Sequence, residues 1–327
     1  AGEDRIPELE LKFVAAARRC REIAKDLESW LQQSLSQPSV YWVEVRKSVS
    51  LRAAPIEVGP TLKEELWSKV PTAILTSATL SVGSPASFAF HQKQLALEGF
   101  RTLKLGSPFD YRSQVVVHIP RDLPDPAKDP KGFDHAIITR ALPYYVEKTR
   151  GRAFVLFTSV ELMRRVADTL RPWFDEMAIP LLVQGDAIHR EKMIEEFKKR
   201  PGCVLFGVDS FWQGVDVPGE ALASVIITKL PFRVPDTPIA EAREQVVKFR
   251  GGNAFLELSV PEACLKLRQG FGRLIRSASD RGIVVILDPR ILSKPYGRTF
   301  LGSLPDCPRV FDVLPQEEMV PVGGAIP

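Results

Sequence analysis

The sequence predicts an α/β fold: a mostly parallel sheet with helices on both faces, preceded by a helical segment at the amino terminus. Two patterns carry this expectation. Short, near-continuously apolar runs such as Phe154-Val155-Leu156-Phe157 and Val204-Leu205-Phe206 alternate with amphipathic stretches at helical spacing, and strands apolar on both faces belong to a sheet covered on both sides. Near the start, Leu9, Phe13, Val14, Ala17, Ile23, Leu27, Trp30 and Leu31 recur at helical spacing among Arg, Lys and Glu, the pattern of an amphipathic helix.

The elements follow in order. Residues 1–38 read as helical, with Pro38 closing the segment. Residues 41–45, 53–58 and 73–76 are rich in Val, Ile, Trp, Tyr and Ala and read as extended. Between the last two, residues 61–70 read as a helix, with Thr61 and Glu64 forming a capping box. Residues 114–119 form a strand. The loop after it contains Pro120, Pro124, Pro126 and Pro130, which cannot continue a helix or a central strand and so belongs at the surface. Next come a helix over 136–148 disturbed by Pro143, a strand over 152–157 and a helix over 160–170. A strand over 181–184, a helix over 188–199 and strands over 203–207 and 223–228 follow. A helix over 262–276 and a strand over 283–287 complete the pattern. No internal repeat is present.

Composition narrows the class. Hydrophobic residues are 45% and charged residues 26% of the 327, which is ordinary for a globular protein. No apolar stretch approaches the roughly 18 residues that span a bilayer, and Ala1 to Glu10 resembles no secretory signal. Forty-four Lys and Arg against 40 Asp and Glu leave a net charge of +4, which permits a local positive channel without demanding one. Cys20, Cys203, Cys264 and Cys307 have no CxxC spacing, so neither a zinc site nor a disulfide framework is indicated.

In parallel sheets, working residues gather at the carboxyl ends of strands. That rule selects Thr76 and Ser77, Thr158 and Ser159, Gln184 to Asp186, and Asp209 to Asp216. The most informative run is Gln269-Gly270-Phe271-Gly272-Arg273-Leu274-Ile275-Arg276. On a continuous helix, Gln269, Arg273 and Arg276 share one face, while Leu267, Gly270, Phe271, Leu274 and Ile275 pack on the other. Two guanidiniums a turn apart match phosphate oxygens, and the glycines imply close packing, since each costs about 1 kcal/mol in a helix. A solvated arginine face is the plainer alternative.

A second run, residues 209–219, combines acid, amide, glycine and aromatic groups in a strand-end loop. Gly214 lets backbone approach a ligand, and Asp216 offers an acceptor for a sugar hydroxyl or an arginine. Phe211 and Trp212 are either buried packing or a stacking platform. A third, residues 75–80, carries Thr76, Ser77 and Thr79, which either couple ligands or cap a turn. Thr158 with Glu161 makes a capping box, and the amides at that helix start suit a phosphate. The chain has no GxxxxGK[ST] and no HExxH, and its four histidines are scattered. Asp288 and Arg290 read as a pair anchoring a loop.

Together these runs resemble, in order, the motifs of the DinG-type helicases and their XPD-class relatives in helicase superfamily 2. Residues 75–80 are similar to the third motif, Ser107-Pro108-Phe109-Asp110 to the opening of the second motor domain, and 154–159 to motif four. Residues 206–219 are similar to motif five and 269–276 to motif six. The resemblance covers roughly residues 40 to 310. It implies a RecA-like fold and an ATP-dependent, 5′–3′ DNA helicase of DNA repair or replication, cytoplasmic, with ATP and Mg2+ as cofactors. Its partners are single-stranded or forked DNA, with a single-stranded-DNA-binding protein or replisome component as a further one, and no membrane.

The resemblance also implies that residues 1–38 end an arch-like insertion, 39–106 close a first motor domain, and 107–327 form the second. The Walker lysine, the acid box and any iron–sulfur cysteine set then belong to an amino-terminal motor part that this chain lacks, and the chain alone is expected to be inactive. The implied roles place Arg276 as the finger toward the γ-phosphate, Arg273 beside it and Gln269 on the attacking water. Gly214, Asp216 and Gly270 lie on the nucleotide side. Thr158, Ser159, Ser210, Phe211, Trp212 and Gln213 touch or relay DNA, Thr76, Ser77 and Thr79 couple the two ligands, and no residue holds a metal. Two rivals are a nuclease-associated relative that binds DNA without unwinding it, and a non-enzymatic interaction module.

Overall fold

The computed structural model describes residues 5–212, 217 and 219–320, with side chains from Leu9 onward. Its chain divides into two compact units that interleave in sequence: one comprises Ala1–Leu75, His91–Phe100 and Val234–Ala254, the other Thr76–Phe90, Arg101–Arg233 and Phe255–Pro327.

The first unit opens with the Arg5–Leu31 helix. An antiparallel hairpin follows, β1 (Ser39–Val45) and β2 (Val49–Pro55), with Tyr41 opposite Ala53. Trp30 ties helix to hairpin: its indole N–H donates to the Arg52 carbonyl at 2.8 Å, and its ring meets Tyr41 edge-on. The Pro238–Phe249 helix joins through Arg243, which donates to the Ile56 carbonyl at 2.9 Å. Apart from the half-buried Trp30, the large apolar residues of the first helix, Leu9, Phe13, Val14, Ile23, Leu27 and Leu31, are exposed.

Two expectations fail in this unit. No capping box forms at Thr61, because the helix starts at Gly59 with Pro60 in its first turn, and the Thr61 hydroxyl is buried. Proline has no N–H to lose at that position and sets the φ a helix needs, so it nucleates the turn ahead of Thr61. Residues 73–76 form no strand: no neighbouring strand pairs with them among the described residues.

The second unit holds the expected sheet. Seven parallel strands run in the order β5-β6-β4-β7-β8-β3-β9: β3 (Val115–His118), β4 (Ala153–Leu156), β5 (Leu181–Val183), β6 (Val204–Gly207), β7 (Ser224–Ile227), β8 (Gly282–Ile286) and β9 (Arg309–Val310). Alternation along each strand feeds two cores. Phe154 and Leu156 face one side with Trp212, Leu267 and Phe271. Val155 and Phe157 face the other with Phe133, Leu142, Val166 and Phe174. Each such side chain contributes about 1.5–3 kcal/mol on burial, which explains why these runs fold as a covered parallel sheet.

Proline shapes two of the helices. A π-helical turn over Ile137–Ala141 leads into the Leu142–Lys148 helix, whose first turn holds Pro143. Another over Phe255–Ser259 leads into the Val260–Phe271 helix and Pro261. In both cases the wider turn absorbs the hydrogen bond and the space that a proline ring denies an α-helix. No described helix is long and apolar enough to cross a membrane.

Candidate functional site

The Val260–Phe271 helix carries Gln269 and Gly270 and ends at Phe271. The continuous helix expected through Arg276 does not form. Past Phe271 the backbone tightens, with the N–H of Arg273 on the Gly270 carbonyl at 3.1 Å and that of Leu274 on Phe271 at 3.2 Å. The cause is twofold: consecutive Leu274 and Ile275 both insert into the core, 2% and 3% exposed, and the amide of Arg276 is captured by Asp280 at 2.7 Å rather than by a helical carbonyl. Arg273 folds back, its Nε on the Gln269 carbonyl at 3.2 Å, where the helix's carboxyl end favours a cation. Arg276 stands in the loop beyond, so the two guanidiniums do not share a helical face with Gln269.

The loop is held from two sides. Asp280, nearly buried, accepts from the Arg276 amide (2.7 Å), the Ser277 amide (2.8 Å), the Ser277 hydroxyl (2.8 Å) and the Gly219 amide (3.2 Å). Burial opposes its charge, but these donors outweigh burial and hold its carboxyl below the usual carboxylate range. Gln114, also buried, sends its side-chain amide to the carbonyls of Ser277 (2.9 Å), Ala278 (3.3 Å) and Asp280 (3.0 Å). This assembly precedes β8 and so lies at the amino ends of the parallel strands, as the pairing of Val115 with Gly282 and Ser224 with Ile283 requires. The expectation that all working residues sit at the carboxyl ends therefore fails for the arginines.

The close packing expected at Gly270 is present. A Cβ there would lie 3.0 Å from the Trp212 ring and 3.3 Å from Leu156. Trp212 and Phe211 are fully buried. The Trp212 indole donates to the Phe157 carbonyl at 3.0 Å, and Lys266, paired with Asp209, lies over the same ring. Neither aromatic is a stacking platform: their bulk fills the core beneath the strand-end loop.

At the carboxyl ends, Thr158 and Ser159 follow β4. The helix cap is Ser159, whose hydroxyl accepts from the Leu162 amide at 3.3 Å, and not Thr158 as the capping box predicted. The exposed Ser210 hydroxyl accepts from Gln184 at 3.1 Å, and Gln184 accepts in turn from the Val208 amide at 2.8 Å, linking the ends of β5 and β6. Gln213, Gly214 and Asp216 lie outside the described residues. Thr76 and Ser77 are exposed, and the Ser77 hydroxyl takes the Thr79 amide at 3.1 Å in a tight local turn. Four residues on, the Ser81 carbonyl accepts from Arg268 at 3.4 Å, a guanidinium whose pKa is lowered by burial. Asp288, fully buried, holds Arg290 and the Leu230 amide, as expected of a loop anchor. Sequence reading shortlisted Gln184 at the end of its strand but missed Gln114, Asp280 and Arg268. Of these only Asp280 left a local trace, a serine three residues before an aspartate.

Chemically, the arginine loop offers guanidiniums and fixed backbone, a donor set suited to phosphate oxygens. Among the described residues no group of three or more His, Cys, Asp or Glu could hold a metal ion.

Comparison with known proteins meets this geometry from another direction. The model of the helicase C-terminal domain matches residues 142–307, just over half of the chain. ATP-dependent DNA helicase YoaA of Escherichia coli is 38% identical over 283 residues, covering 86% of this chain and 43% of that protein. ATP-dependent DNA helicase DinG of Photobacterium profundum is 37% identical over 312 residues, 94% of this chain and 43% of that protein. The chain thus spans less than half the length of these relatives. A solved structure titled XPD_APO aligns with 91% of this chain and 59% of its own at TM-score 0.58 and 17% identity, a likeness of fold. By these matches the chain belongs to the helicase C-terminal domain family, and it is similar in sequence to DinG-type helicases and in fold to an XPD structure.

Proposed function

We propose that this chain is the second-motor portion of an ATP-dependent 5′–3′ DNA helicase, acting in repair or replication and coupling ATP hydrolysis to movement along single-stranded DNA. The observation that carries the reading is the arginine loop, in which Arg273 closes the helix end and Arg276 stands on a backbone held by Asp280, with Gln114 holding the residues just after it. Arg276 is the finger toward the γ-phosphate, Arg273 a second cation on the phosphates, and Gln269 the amide that orients the attacking water. Preset positive charge acts by meeting the charge that develops in phosphoryl transfer. Gly214, Asp216 and Gly270 serve the nucleotide side. ATP with Mg2+ supplies the free energy, and the phosphate-binding lysine and metal-binding acids come from a preceding motor domain.

On the opposite edge, the Thr158, Ser159 and Ser210 hydroxyls and the amides opening the Val160–Glu176 helix face the DNA backbone. Thr76, Ser77 and Thr79 relay nucleotide state through Ser81 and Arg268. In domain terms, 1–38 end an arch-like insertion, 39–106 close the first motor domain and 107–327 make the second. This division follows motif order, whereas the compact units interleave.

Arg276→Ala in the intact parent protein tests the reading. DNA-stimulated ATP turnover is expected to fall by about 10³-fold or more, the worth of an arginine finger, with the melting temperature retained. Undiminished turnover would remove the assignment.

A further inference from the structure

Beyond the motif residues, we infer that Asp280 is a positioning residue for Arg276: its carboxylate, with Gln114 opposite, locks the finger loop to the backbone ahead of β7. This rests on the reading of Arg276 as the finger.

The geometry carries it. Arg276 is four residues before Asp280, and one carboxylate oxygen, Oδ2, takes the amides of both Arg276 and Ser277. The other, Oδ1, takes the Ser277 hydroxyl and the amide of Gly219, which precedes β7 and closes the fifth-motif run. A single side chain therefore fixes where the Arg276 Cα stands and ties it to the fifth-motif loop. Gln114 completes the lock from the other side. Asp280 supplies acceptors to the loop's N–H groups, and Gln114 supplies donors to its carbonyls. Only an ionised carboxylate offers acceptors on both oxygens at once; an amide in its place turns an NH2 toward two donors. Neither residue needs to touch nucleotide to act, because a finger displaced by about 1 Å loses on the order of 10²-fold in rate.

The test uses the intact parent protein and has two readouts. In hydrogen–deuterium exchange without nucleotide, Asp280→Asn is expected to speed exchange of the 272–281 peptide at least tenfold and leave the β4 and β7 peptides unchanged. In DNA-stimulated ATP turnover, Asp280→Asn is expected to lower kcat about ten- to hundredfold with the KM for ATP within threefold. In an Arg276→Ala background, adding Asp280→Asn is expected to change the residual rate less than threefold, because both changes act through one side chain.

Gln114→Met, which removes the donor while filling the space, is expected to give the same pattern more weakly and serves if Asp280→Asn folds poorly. Unchanged exchange at 272–281, exchange raised throughout the sheet, or an equal rate loss with and without the Arg276 side chain would overturn the inference. Full turnover in Arg276→Ala alone would instead sink the finger reading, since the exchange arm does not depend on ATP.

Discussion

Gly270 lacks a side chain because Trp212 fills the space one would need. The ring is fully buried and pinned by its hydrogen bond to Phe157, so it cannot move aside for a Cβ 3.0 Å away. Alanine gains about 1 kcal/mol of helix propensity, while overpacking a close-packed core costs about 1–3 kcal/mol. With the ring held and Leu156 also in the way at 3.3 Å, packing wins. Gly270→Ala is therefore expected to destabilise the chain by about 1 kcal/mol net, seen as a lower urea midpoint at unchanged slope. A raised midpoint would mean that Trp212 is free to give. At the same scale lies what sequence could not reveal. Gln114 reaches Ser277, Ala278 and Asp280 across more than 160 residues, and no local pattern announces such a partner. Only the fold brings β3 beside β8.

Among the elements, strands were the most legible, because an apolar run such as residues 154–157 has one stable place, between two covered faces. Ends were less so. The helix of the sixth motif was expected to reach Arg276 because its apolar spacing continues through Leu274 and Ile275. The same two residues are equally buried by a turn, and the competing acceptor, Asp280, decided for the turn. The start of the Val160–Glu176 helix shows a similar competition between two adjacent hydroxyls. Thr158 has the capping-box spacing, yet Ser159 has the extended backbone of a cap and accepts from Leu162. Ser159→Ala is accordingly expected to cost about 0.5–1 kcal/mol, toward the low end of cap losses given the 3.3 Å contact. Thr158→Ala should cost less than half as much. Paired chemical denaturation of the two variants decides, and a larger loss at Thr158 would restore the capping box.

For the sheet-bearing unit as a whole, the two ends of the strands have separate tasks on the proposed reading. The finger loop sits at the amino edge and the DNA-facing hydroxyls at the carboxyl edge. The Val260–Phe271 helix spans the distance between them, carrying Lys266 beside Asp209 and Trp212 and Gln269 just before the arginine loop. A rigid, packed element of this kind can pass a shift from one edge to the other without new contacts being made. The charge balance bears on how DNA is held. A net charge of only +4 gives little overall attraction to phosphates, and the carboxyl-edge groups named here are hydroxyls and amides, which read backbone and not base. With about three phosphates neutralised, single-strand affinity falls with a log–log salt slope of about −2, so raising salt fourfold weakens binding roughly twentyfold. Titrating this 327-residue chain with fluorescent single strands at two salt concentrations is expected to show that loss, with mixed-sequence and oligothymidine strands bound within a few-fold of each other. Salt-insensitive binding, or none, would favour an interaction module over a motor. A strong sequence preference would mean that base edges are read by residues other than the hydroxyls at the strand ends.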